Sequence, residues 1–148
     1  MQTTADFTHF FLHGVEKLSE ELKQFHKEEE LWKVTGDISN SAGNLTLHLI
    51  GNLNHFIGAQ LGKTAYVRDR DNEFVSRDVH RDVLLRMLNE TKLMLEKVLS
   101  SMKEEDLSKI YPLNTFGEGK TSGFVLINLL GHFQYHLGQI NYHRRLII

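Results

Sequence analysis

Apolar residues return at three- and four-residue steps along most of this chain. Between Asp6 and Glu30 the series Phe7, Phe11, Val15, Leu18, Leu22 and Phe25 falls on one stripe at helical period, which predicts a first helix. Trp32 to Asn40, with Gly36 and Asp37, reads as a connection. Ser39, Asn40 and Ser41 offer capping oxygens to a second helix over Ala42 to Leu61, whose apolar face is Leu45, Leu49, Leu53 and Phe56. Gly62 is its stop signal. Lys63 to Ser76, charged at Arg68, Asp69, Arg70 and Asp71, predicts a long exposed connection. A third helix spans Arg77 to Met102 with Val79, Val83, Met87, Met94, Val98 and Met102 inward. Lys103 to Gly123 holds Pro112 and three glycines, and predicts a loop with a short hairpin over Ile110 to Thr115. The last helix, Phe124 to Leu146, is apolar on nearly every side, which predicts burial on several sides.

Four amphipathic helices with a single proline predict an all-α fold, a four-helix bundle in one domain spanning residues 1–148. A chain of this length buries roughly 70% of its unfolded surface. The connection between the second and third helices is longer than an up-down bundle needs. A helix rises about 1.5 Å per residue, so a long link is required when the next helix must start back at the same end. The expectation is an up-down-down-up bundle with a crossover between helices two and three.

Composition narrows the function classes. A hydrophobic content of 41% beside 24% charged residues is that of a globular protein rather than a disordered one. The formal charge of −2 gives no basic footprint, so no nucleic-acid partner is expected. No apolar run approaches the roughly 20 residues of a membrane span. Met1 to Asp6 carries no basic region leading into an apolar core, so the expected compartment is the cytoplasm. Lys27 to Glu30 and His143 to Arg145 read as solvated charged faces. With no cysteine, the chain has no thiol nucleophile of its own.

The polar residues of the last helix are the informative ones. Advancing about 100° per residue gathers Asn128, His132, His136, Gln139 and His143 within roughly 80° of an otherwise apolar helix. Such a stripe either faces solvent or lines an internal site; the apolar remainder favours the internal site. His132 and His136, four apart, project from one face and can grip one metal ion. Spacing alone is weak, because nine histidines in 148 residues give about half of one such pair by chance. A second pair, His9 and His13, lies opposite the apolar stripe of its helix and reads as surface. A third ligand must come from another helix, and His48 and His55, one heptad apart beside Asn52, both stand on a polar edge of helix two. Either would complete a site of three imidazoles with open positions for water or substrate. Zinc, nickel, copper and iron all accept imidazole. The structural alternative is core histidines hydrogen-bonded to backbone or amide groups.

The stretch His136-Leu137-Gly138-Gln139-Ile140, preceded by His132, resembles the last-helix signature of the DinB-like (DinB/YfiT) superfamily. Leu47-His48-Leu49 resembles the second-helix histidine of that superfamily. The section from Asn44 to Phe74 is similar to a branch known mainly as a domain of unknown function. The likeness covers essentially the whole chain. It implies the up-down-down-up bundle, a divalent metal (nickel or zinc) on His48, His132 and His136, and a homodimer. It also implies a small-molecule substrate, since some members are thiol-dependent transferases or isomerases using bacillithiol, mycothiol or glutathione. No carboxylate occurs between His132 and His136, where Gln134 and Tyr135 stand, so no general base is assigned.

Three functions follow as expectations. The first is a metal-dependent S-transferase in which a low-molecular-weight thiol, ionised at the metal, attacks an electrophile. Gln139 and Asn52 would orient ligands or a bound water, and His55 and His143 are the candidates for proton transfer. The second is metal-assisted hydrolysis by a bound water. The third is a dimeric metal-binding module without catalysis, with Leu146-Ile147-Ile148 as a candidate dimer contact.

Overall fold

The computed structural model describes residues 3–148; Met1 and Gln2, the first residues of the stretch read above for a leader, lie outside the described residues. The fold is all-helical, with α1 (Thr4–Lys23), α2 (Ala42–Leu53), α3 (Arg70–Val75), α4 (Arg81–Ser101) and α5 (Ser122–Ile147). Tight 3-10 turns follow α1 at Glu28–Trp32 and α4 at Glu104–Ser108. Among the described residues no helix is long and apolar enough to cross a membrane.

The starts of the helices follow from their caps. Thr3 accepts from the Asp6 N–H while the Asp6 carboxylate accepts from the Thr3 N–H, a reciprocal box that satisfies two of the free donors of α1. Ser41 caps α2 through the Asn44 N–H, and Thr121 caps α5 through the Phe124 N–H. The core is built of Phe11, Leu18 and Leu22 from α1, Leu49 and Leu53 from α2, Leu84, Leu88, Leu95 and Leu99 from α4, and Leu129, Phe133 and Ile140 from α5. α1 packs against α4 and α5, and α2 against α3, α4 and α5.

Several sequence expectations are corrected. The first helix ends at Lys23, not Glu30: the chain leaves the helix and Phe25 packs into the core from outside it, so the apolar period outruns the helix. Glu30 then accepts from the His26 and Lys27 N–H groups and seats the following turn. α2 is continued, as far as Ala59, by a wider turn over Asn54–Ala59, where Gln60 N–H reaches His55 O and Gly62 N–H reaches Ile57 O. α4 begins at Arg81 rather than Arg77, because Asp78 is left-handed (φ 58°) and His80 is extended. Its inward face is the Leu84, Leu88, Leu95 and Leu99 row; Val83, Met87 and Met94, one residue round, are only half-buried. In place of a hairpin over Ile110 to Thr115, a single antiparallel bridge joins Ile110 to Thr121 and closes a longer loop. α5 is not buried on all its apolar sides: Phe124, Ile127, Tyr135, Tyr142 and Leu146 are exposed.

Candidate metal centre

α2 and α5 bring three imidazoles to one point. His48, on the buried face of α2, presents Nε2 3.1 Å from His132 Nε2. His136, one turn further along α5, presents its own Nε2 3.1 Å from the same atom. Two nitrogens each about 2.0–2.1 Å from one ion, at a bond angle of roughly 90–109°, stand about 2.8–3.4 Å apart. The spacing therefore matches ligands of one ion, and these three side chains can hold a metal.

The outer nitrogens decide which inner nitrogens carry lone pairs. His48 Nδ1 lies 3.1 Å from Glu73 Oε1, and a carboxylate only accepts, so Nδ1 holds the proton and Nε2 is left bare. His136 Nδ1 likewise donates to Gln139 Oε1 at 2.7 Å, baring its Nε2. Two lone pairs thus face His132 Nε2, and a single N–H there satisfies only one of them. Protonating His132 is not the remedy. Burial above all, then repulsion from charge on His136, His48 or Arg68, pushes its pKa down to about 4. Burial also lowers His136, joined by His48 and opposed by the Gln139 hydrogen bond. His132 Nδ1 is itself buried and finds no partner among the described residues. The two bare Nε2 atoms facing His132 fit a cation held among the three rings.

Glu73 is the functional residue that sequence reasoning missed. It stands on α3, inside the stretch expected to be an exposed connection, yet it is buried. Asp69 caps α3 by accepting from the Asn72 N–H, and the Asn44 side-chain amide donates to the carbonyls of Glu73 and Ser76, fastening α3 to α2. Arg68 grips the Glu73 carboxylate with Nε on Oε2 and Nη2 on Oε1, both at 2.9 Å. Its Nη2 also lies 3.3 Å from His48 Nδ1, because both donors converge on the same Oε1. Burial alone would raise the Glu73 pKa; the hydrogen bonds and charges of His48 and Arg68 prevail and hold it below the usual carboxylate range. Gly51 makes room for this carboxylate, since a Cβ there would sit 1.8 Å from Glu73 Oε2. An acidic residue four after a capping Asp was the available signal; the surrounding charges concealed it.

The other candidates separate. Gln139 orients His136 as expected, whereas among the described residues Asn52 makes no such contact and its buried Oδ1 has no partner. His55 is outside the cluster, half-buried and edge-on to Phe56, its pKa lowered by burial and by Arg68. His143 is buried and donates from Nε2 to the Lys33 carbonyl at 2.7 Å. His9 and His13 are exposed and stacked on each other, away from the centre.

Comparisons with known proteins bear on the fold and the family. No curated protein matches the sequence. The fold is similar to that of a conserved protein from Enterococcus faecalis, with a TM-score of 0.78 at 18% identity over 99% of this chain and 98% of the other. It is also similar to a DinB-like protein from Bacillus cereus, with a TM-score of 0.75 at 16% identity over 98% of this chain and 93% of that one. Residues 6–148 match the family model described as protein of unknown function DUF1572. The chain belongs to the DUF1572 family, described as a protein of unknown function.

Proposed function

We propose that this protein binds one divalent metal ion, nickel or zinc, through His48, His132 and His136, and transfers a low-molecular-weight thiol to small electrophiles. In the same reading the four long helices form an up-down-down-up bundle, with the stretch carrying α3 as the crossover. The observation that carries the metal reading is the pair of fixed tautomers, at His48 and His136, aiming two bare nitrogens at the half-buried, neutral His132. A bound divalent ion supplies a positive charge that favours the thiolate form of a coordinating thiol. Three protein ligands leave positions for such a thiol.

The chain's own residues do the positioning. Glu73 holds the His48 proton on Nδ1 and is itself held by Arg68, which keeps Nε2 free to bind. Gln139 does the same for His136. Glu73 is occupied by both of these partners, so it is not free to serve as a general base for a bound water; this favours transfer over hydrolysis. The test is consumption of a thiol by metal-loaded protein with a set of alkylating electrophiles. The expected result is metal-dependent conjugation that disappears in His136→Ala. Conjugation at the same rate in that variant, or none with glutathione, bacillithiol or mycothiol, contradicts the transferase reading.

A further inference from the structure

The outward side of α5 carries an apolar row along its whole length. Phe124, Ile127, Tyr135, Tyr142 and Leu146 are all exposed, Tyr135 by 65%, Tyr142 by 69% and Leu146 by 67%. At 100° per residue the five fall within a sector of about 100° on this 26-residue helix, which is about 39 Å long. The polar members of the sector, Asn128 and Arg145, stand at its two edges, and Arg145 lies over the Tyr142 ring at 4.6 Å. A fully covered aromatic side chain accounts for about 150–250 Å², so these exposed fractions leave on the order of 600 Å² of apolar surface. That is the upper end of what the largest patch on a monomer reaches, and most of the roughly 800 Å² per partner of a stable interface.

Gly131 and Gly138 fall inside the same sector. A Cβ at either would meet nothing within 4 Å, so packing within the described chain does not call for glycine there. Each costs a helix interior about 1 kcal/mol against alanine. What glycine gives in return is close approach of another backbone. The row is also symmetric in sequence. Tyr135 stands midway between Phe124 and Leu146, midway between Asn128 and Tyr142, and within half a residue of midway between Gly131 and Gly138. A twofold axis at Tyr135 therefore sets Phe124 against the partner's Leu146, and brings each Tyr135 ring into the gap between the partner's Gly131 and Gly138. It also keeps the two Arg145 side chains about 30 Å apart along the helices, whereas a parallel pairing would set these like charges side by side.

We infer that a second copy of this chain docks its α5 antiparallel on this row, with Tyr135 at the twofold axis. Tyr135, Tyr142 and Leu146 also line a cavity of about 560 Å³ beside His136, whose further walls include Asp37, Ser39, Asn40 and Gln139. The partner's helix thus adds a wall to the cavity at the histidine centre. The pairing stands independently of the thiol reading.

Sedimentation velocity and single-cysteine crosslinking test it. Wild type is expected to sediment as a dimer at micromolar concentration. Tyr142→Glu puts a charge into the contact and should raise the dimer dissociation constant at least about 100-fold. Leu93→Glu, at an exposed apolar position on α4, should leave it unchanged. Helical circular dichroism confirms that both variants are folded. The chain has no cysteine of its own, so an introduced one is the only thiol. With a short bismaleimide, Tyr135→Cys should crosslink to its own copy. Asn128→Cys and Tyr142→Cys each lie about 21 Å from their own copies, so neither should crosslink alone, whereas an equimolar mixture of the two should. Monomeric wild type, or a dimer that Tyr142→Glu leaves intact, overturns the inference. Crosslinking of Asn128→Cys alone as strongly as of the mixture, or none in the mixture, overturns the antiparallel arrangement.

Discussion

The two sides of the histidine centre are built differently. On the α2 side, His48 is buried, and its outer nitrogen meets a carboxylate that a bidentate arginine holds in turn. On the α5 side, His136 has one amide partner, Gln139, on an exposed side chain, and borders a cavity. The closed side has charge, burial and three elements fixing one imidazole. The open side gives up that rigidity for access. In the proposed reading, a site that holds an ion and still admits a ligand needs both, and the two tasks fall to different helices.

The largest effect should come from breaking the closed side. Glu73→Ala leaves Arg68 without its carboxylate and His48 without a fixed tautomer. Removing one partner of such a buried pair destabilises by about 3–5 kcal/mol, and loss of an orienting partner weakens metal binding about 10–100-fold. Urea unfolding and metal titration of this variant measure the two effects separately. Gly51→Ala attacks the same carboxylate sterically, and overpacking of this kind costs about 1–3 kcal/mol. Its metal affinity should fall in parallel, since Glu73 must move.

Acid sharpens the contrast without a mutation. His132 titrates near 6.5 when unfolded and at about 4 when folded, so the unfolded chain takes up the proton first as pH falls. Stability from this group is complete above about pH 6.5 and is lost as pH falls toward about 4, a change on the order of 1–3 kcal/mol. Metal-free protein should therefore show a declining urea midpoint across that window, and His132→Phe should flatten it. A decline of equal size in both would place the titration elsewhere. The smallest effect belongs to the open side. Gln139→Leu should leave unfolding stability within about 0.5 kcal/mol, as exposed substitutions do, and weaken metal binding by about tenfold or less.

The same contrast explains what the sequence revealed. His132 and His136 were legible because polar side chains on a mostly apolar helix stand out, and the helical period placed them on one face. His48 and His55 stood alike on helix two, and only the family resemblance favoured His48; the structure gathers His48 and leaves His55 half-buried outside the cluster. Glu73 was invisible because Arg68 to Asp71 has the composition of a solvated loop, while its burial depends on Asn44, roughly thirty residues earlier, and on a missing Cβ at Gly51. Helix ends were misread where tertiary packing continued the apolar period beyond the helix, as at Phe25, or where two neighbouring stripes competed, as on α4. The exposed apolar row of α5 shows the limit of composition: an apolar surface need not be a buried one.

The most direct test of the central claim is metal content after supplementation with nickel or zinc, measured on wild type and on His48→Ala, His132→Ala and His136→Ala. A site of three imidazoles predicts about one ion per chain in wild type and less than about 0.1 in each folded variant. Less than about 0.1 ion per chain in wild type, or full occupancy retained after loss of His132, would contradict it.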